Sequence, residues 1–206
     1  MVIGNGLIGR AFKSYINNDN ILIFAAGVSN SREEKQSNFD REINLLNSHQ
    51  NFNGLFIYFS TTSIEDVLLQ DSKYIKHKRN IEQIIGNSFS NYLIVRLPNL
   101  VGDSKNKNTL VNFFKHSILN STKFEVQKNA YRYLVEIGDV FSIVNKVIKR
   151  GGEFNKIANL ITTDKVLVLE IVKRLEKELG KKANYDLIEG GSNYDIELDS
   201  IFLNIH

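Results

Sequence analysis

The sequence predicts an α/β protein built around a parallel sheet, on three observations. Short apolar runs (Met1 to Ile3, Ile21 to Phe24, Leu55 to Phe59, Tyr92 to Leu97) alternate with stretches of helical periodicity. The first run passes directly into Gly4-Asn5-Gly6-Leu7-Ile8-Gly9, a G-x-G-x-x-G turn between a strand and a helix. Each run closes on small or polar residues. In a parallel sheet with right-handed crossovers those ends gather at one edge, where such sheets bind ligands.

The first turn carries the most chemistry. Gly4 permits the tight bend, Gly6 lets a pyrophosphate approach the backbone, and Gly9 lets the helix pack on the strand. The N–H groups opening that helix attract phosphate. An acidic residue about 20 positions on, ending the second strand, would hold an adenosine ribose. Asp19 is in range but precedes its strand. Arg10 is placed for a 2′-phosphate or, more simply, is a solvated helix residue. Ile21 to Phe24 is a buried-type strand, and Ala25-Ala26-Gly27 at its end leave room for a flat ligand against the backbone. After the Ser29 to Ser31 loop, Phe39, Ile43 and Leu46 form one side of a helix. The strand Leu55 to Phe59 leads into Ser60-Thr61-Thr62-Ser63, where Thr62 with Glu65 or Ser63 with Asp66 fits a capping box.

Asp71 to Ile85 reads as one amphipathic helix. Tyr74, Lys78, Ile81 and Ile85 fall at steps of four, three and four on a single stripe. The isoleucines turn that stripe inward, which places a phenol and an ammonium on a core-facing row. A lysine there is costly unless something needs it. The plain alternative is a snorkelling Lys78 and a half-buried packing Tyr74. Tyr92 to Leu97 is the fourth strand. Beyond Gly102 a polar loop, DSKNKN, precedes a short helix near Leu110 to Phe114. Two short strands with a turn at Lys128-Asn129 follow, then a helix over Asp139 to Lys149. Phe154 to Ile161 is a late strand, and Lys165 to Leu179 is an amphipathic helix capped by Gly180.

Composition bounds the function. The chain has 206 residues, enough for one domain or one domain with a small lobe, and its formal charge of +3 is spread along the chain. Nucleic acid is therefore not an expected partner, and the KYIKHKR run is short, interleaved with core positions and without an aromatic platform. The absence of cysteine excludes disulfides and thiolate metal sites. The four histidines (His49, His77, His116, His206) show no ligand spacing, so no metal is expected. No membrane partner is expected either: no apolar run has spanning length and no signal peptide is visible, and a cytoplasmic protein is expected.

In order, GNGLIG (4–9), FAAGVSNS (24–31), FIYFSTTS (56–63), YIKHK (74–78) with Glu82, RLPNLVG (96–102), YRYLVEIGDV (131–140) and FNKIANL (154–160) resemble the extended short-chain dehydrogenase/reductases, the NAD-dependent epimerase/dehydratase family acting on nucleotide sugars. The resemblance is colinear over most of the chain. It implies a Rossmann-like parallel sheet with a small C-terminal substrate lobe: residues 1–104 plus 139–161 as the nucleotide-binding core, and 105–138 plus 162–206 as the lobe. It implies NAD or NADP as cofactor, held by Gly4, Asn5, Gly6, Leu7, Ile8, Gly9, Arg10, Ala25, Ala26, Gly27, Lys78 and Leu97. Tyr74 would be the proton donor or acceptor, Lys78 would hold the nicotinamide ribose and lower the Tyr74 pKa, and Thr62 would hydrogen-bond the reacting oxygen, with Thr61 the fallback. Asn99, Arg132, Thr61 and Ser29 would meet the nucleotide sugar. The implied reactions are reduction, epimerisation or dehydration, within surface-polysaccharide sugar synthesis, with a homodimer left open.

The chain also departs from the family pattern. Roughly fifteen residues stand where two strand-helix units would lie between the glycine-rich helix and the strand ending in AAG, so the adenosine pocket is expected to be missing. The alternative is a non-catalytic descendant that binds a nucleotide sugar or a partner and has lost normal dinucleotide binding.

Overall fold

The computed structural model describes residues 1–103, 106–107, 109–152 and 154–203. The boundary expected at 104/105 and His206 lie outside them. In chain order the elements of the first half are β1 (Val2–Ile3), α1 (Leu7–Ala11), β2 (Ile21–Phe24), α2 (Gln36–Asn47), β3 (Leu55–Thr61), α3 (Lys73–Ser88) and β4 (Tyr92–Leu97). Then come β5 (Asn99–Val101), α4 (Leu110–Leu119), β6 (Phe124–Gln127), β7 (Tyr131–Arg132), β8 (Leu134–Glu136), α5 (Ile137–Arg150), β9 (Lys156–Asn159), β10 (Val166–Leu167), α6 (Val168–Leu179) and β11 (Tyr185–Ile188).

The main sheet is parallel throughout, in the order β1-β2-β3-β4-β9. Strand residues alternate between two apolar layers, as the two-residue period of a pleat requires. Ile23, Ile57, Phe59, Val95 and Leu97 pack with Phe12 and with Val140, Val144 and Val147 of α5. Leu22, Phe24, Phe56, Tyr58 and Ile94 pack instead with Leu46 of α2 and with Ile81 and Ile85 of α3. Helices thus cover both faces, and all seven residues of β3 are buried. This is a Rossmann-like α/β fold, shortened on one side: β1 is an edge strand, with no further strand beyond it among the described residues. A separate cluster joins α4 and α6 through Phe114, Ile118, Phe124, Val126, Val168 and Val172. There β6 pairs with β11, and β7 with β10, not with each other. The chain end, grouped by sequence with this lobe, returns to the main core through Ile201 and Phe202.

The glycine-rich turn is tightly built. Gly4 has φ +111°, and a Cβ there would lie 2.5 Å from the Ala25 carbonyl oxygen. A Cβ at Gly9 would lie 2.3 Å from the Gly4 carbonyl oxygen, so α1 rests on the turn itself. Gly9→Ala is expected to cost about 1–3 kcal/mol through this backbone collision. Gly6→Ala should stay within about 0.5 kcal/mol, since that position has extended backbone and open space around it. Paired denaturant titrations check both.

Candidate functional site

The carboxyl ends of β1 to β4 lie along one edge, and the registers Phe24↔Tyr58 and Thr61↔Leu97 align them. Helix α3 opens beside that edge, with the Ser72 side chain accepting from the Ile75 N–H at its start. The expected inward stripe is present: Tyr74 is 7% exposed, Lys78 2%, and Ile81 and Ile85 fully buried. His77 is buried as well. It lies three residues after Tyr74 and four before Ile81, on the same face.

What makes a buried Lys78 tolerable is Glu42 of α2, itself fully buried. Its carboxylate accepts from the Val28 N–H (2.6 Å), the Tyr58 hydroxyl (2.6 Å), His77 Nε2 (2.9 Å) and Lys78 Nζ (3.3 Å). Lys78 Nζ also donates to the Tyr58 hydroxyl at 2.6 Å, so the bond directions fit an ammonium with two partners. Its remaining N–H has no partner among the described residues. A Cβ on Gly27 would come 2.9 Å from both Nζ and Glu42 Oε1, so only glycine fits here at the end of β2. Sequence reasoning missed Glu42. Its signal was the phase of α2: position 42 is three after Phe39 and four before Leu46, on the apolar stripe.

Burial opposes ionisation of Glu42, but the Lys78 charge and the bonds from His77, Tyr58 and Val28 prevail and hold its pKa down to about 2. Burial lowers the Lys78 pKa, with Glu42 the main opposing charge. The Tyr74 phenol is raised, chiefly by burial; its hydrogen bond with Thr61 works the other way and the Glu42 charge adds to the rise. This corrects the expectation that Lys78 lowers Tyr74. The ammonium is spent on Glu42 and Tyr58 and lies 5.8 Å from the Tyr74 ring centre.

Thr61, not Thr62, is the hydroxyl bonded to Tyr74. Thr61 also caps the short 3-10 turn after β3, accepting from the Ser63 N–H at 3.1 Å, one and two residues before the starts of the two expected capping boxes. Thr62 is turned to the Leu97 carbonyl at 3.5 Å and to Tyr194. Tyr194, which sequence reasoning also missed, reaches Thr62 and Ser63 from the C-terminal segment, near Arg132 and Asp66, and burial raises its pKa. Nothing in the local sequence marked it.

The other expected residues divide by location. Gly4, Asn5, Gly6 and Gly9 form the turn, with Gly6 open. Leu7 packs against Gly102, and Ile8 against the core. Arg10 donates to the Asn5 carbonyl (3.4 Å) and the Asp103 carbonyl (2.9 Å). Ala25, Ala26 and Gly27 follow β2, the Ala26 carbonyl accepting from Arg41 at 2.9 Å. Ser29 accepts from Asn106 at 3.2 Å. Asn99 donates to the Tyr133 carbonyl at 3.3 Å, and Arg132 to the carbonyls of Tyr131 (2.7 Å) and Ser192 (3.2 Å). Both are thus engaged by backbone at the lobe. Asp19 is exposed at the amino end of β2, the edge opposite the site. A second buried carboxylate, Glu82, is taken by Arg96 (2.6 and 2.9 Å) and Ser60 (2.6 Å).

Residues present fit part of a nicotinamide dinucleotide. Gly6 leaves backbone open at the turn, and Gly27, having no side chain, leaves the Lys78 ammonium next to the backbone after β2. The far side of β1 offers no matching half-site among the described residues. Among those residues no group of three or more His, Asp or Glu is placed to hold a metal, and no helix is long and apolar enough to cross a membrane.

No protein-family model and no curated protein matches the chain. Solved structures do. RMD from Pseudomonas aeruginosa, solved with NADPH, is 14% identical, with TM-score 0.69 over 93% of this chain and 85% of that one. A dTDP-4-dehydrorhamnose reductase from Clostridium acetobutylicum is 15% identical, with TM-score 0.70 over 91% and 82%. UDP-glucose 4-epimerase from Thermus thermophilus, solved with NAD, is 17% identical, with TM-score 0.64 over 90% and 71%. The chain shares their fold and is shorter than each.

Proposed function

We propose that the chain is a nicotinamide-dependent enzyme acting on a nucleotide-linked sugar, with Tyr74 as the catalytic acid or base. The observation that carries this reading is the buried Tyr74–Thr61 pair beside Lys78, at the same sheet edge that carries the open glycine turn. When bound, the nicotinamide supplies or accepts the hydride. In the reducing direction the Tyr74 hydroxyl would give its proton to the oxygen of the sugar carbonyl as that carbonyl is reduced. Tyr74 is then reprotonated from solvent. Thr61 would hydrogen-bond the same oxygen, Lys78 would hold the nicotinamide ribose, and Arg132 with Asn99, on the lobe side, would meet the sugar nucleotide. NAD or NADP, a soluble cytoplasmic setting and a role in making deoxy- or amino-sugars for a surface polysaccharide belong to this reading.

Two hydroxyl variants test it. Thr61→Val is expected to lower turnover of a nucleotide-linked keto sugar by about 10²-fold, as for loss of one donor to a developing oxyanion. Thr62→Val, which removes a bond to Leu97, should change turnover little. Equal effects, or an effect of Thr62 alone, would refute the assignment. Consumption of reduced nicotinamide, followed by absorbance, is the readout.

A second reading is a non-catalytic nucleotide-sugar or partner-binding descendant. Lys78 favours it, being 2% exposed and already paired with Glu42. It predicts that nucleotide sugars bind while Tyr74→Phe changes nothing.

A further inference from the structure

The strand order β1-β2-β3-β4-β9 never reverses, and the glycine turn sits on the edge strand itself. Sheets that bind dinucleotides combine two βαβαβ halves, one for each mononucleotide, and the ligand lies across the point where strand order reverses. Only one half is present among the described residues. A ligand that starts at Gly27 and Lys78 and crosses the open backbone at Gly6 therefore passes off the sheet once its phosphate has met the turn. Charged groups on this flank are not free to meet the ligand there. Arg10, at the turn, is bound to the carbonyls of Asn5 and Asp103, while Asp19 and the Met1 ammonium lie at the opposite edge, the latter held by the carbonyls of Asn18 and Ile21.

We infer that the site recognises a mononucleotide: the nicotinamide, its ribose and the adjoining phosphate, with no discrimination at the adenosine end. This rests on the nicotinamide reading above and narrows it. A ligand is read only by groups that contact it, so neither the adenine nor a phosphate on its ribose changes affinity here.

Isothermal titration of the intact chain with reduced nicotinamide mononucleotide, NADH, NADPH and AMP tests the inference without any turnover. The expected result is binding of the first three with dissociation constants within about threefold, less than 1 kcal/mol apart, and no saturable binding of AMP. Melting shifts at matched concentrations should then be equal for the three. NADH binding tenfold or more tightly than the mononucleotide, a tenfold difference between NADH and NADPH, or saturable AMP binding would overturn the inference while leaving the nicotinamide reading in place. If no nicotinamide compound binds the folded chain, both fall together. Lys78→Met separates the cases further: it should weaken all three nicotinamide ligands by the same factor, whereas a site that holds adenosine would keep NADH bound after the mononucleotide is lost.

Discussion

Tyr74→Phe is expected to reduce turnover by about 10²- to 10⁴-fold, the usual contribution of a positioned general acid or base. Nicotinamide binding should change little. The substitution keeps the ring, which packs among Val28, Phe39, Ile64 and Ile75, and removes only the hydroxyl bonded to Thr61. Its cost in stability should be about 1 kcal/mol, that of one hydrogen bond. Burial raises the Tyr74 pKa, so the hydroxyl holds its proton at neutral pH and is ready to donate. Reduction of a keto sugar is accordingly expected to proceed near neutrality, while the reverse oxidation, which needs the phenolate, should gain with rising pH. Unchanged kcat in Tyr74→Phe, measured with a binding-competent protein, would remove the catalytic role.

Glu42→Ala should be the most destabilising single change. It strips one partner from a buried ion pair and leaves Lys78, His77, Tyr58 and the Val28 N–H facing an empty position. Breaking such a pair from one side costs about 3–5 kcal/mol. Chemical denaturation measures it, and a loss below about 1 kcal/mol would contradict the buried cluster. The same carboxylate predicts an acid limb. Its folded pKa of about 2 lies below the ordinary 4.5, so its stabilisation is complete above pH 4.5 and lost as pH falls toward 2. A Glu42→Gln chain that still folds should show a flatter stability profile across that window.

Much of this was legible in the sequence because it rests on spacing. The steps of four, three and four from Tyr74 to Ile85 put the phenol and ammonium inside, and the glycines fixed the turn. The short linker between α1 and β2 signalled the missing half of the sheet. What escaped depends on contacts between elements. Lys78 announced a buried partner, but only the packing of α2 on α3 shows it to be Glu42. Thr61 and Thr62 were inseparable because β3 is buried on both faces and has no alternation to set their phase. Tyr194 arrives from a segment far away in sequence, and β6 with β11 pairs across a similar distance, beyond the reach of local pattern.

The central claim is that Tyr74 and Lys78 face a nicotinamide ribose over the first glycine turn. A crystal structure of the chain soaked with NADH tests it most directly. The expected map shows the ribose hydroxyls within hydrogen-bonding distance of Lys78 Nζ and Tyr74 Oη, with the ring beside Gly27. Nicotinamide density at any other place, or Lys78 still closed against Glu42 with no ligand above Gly6, would contradict it.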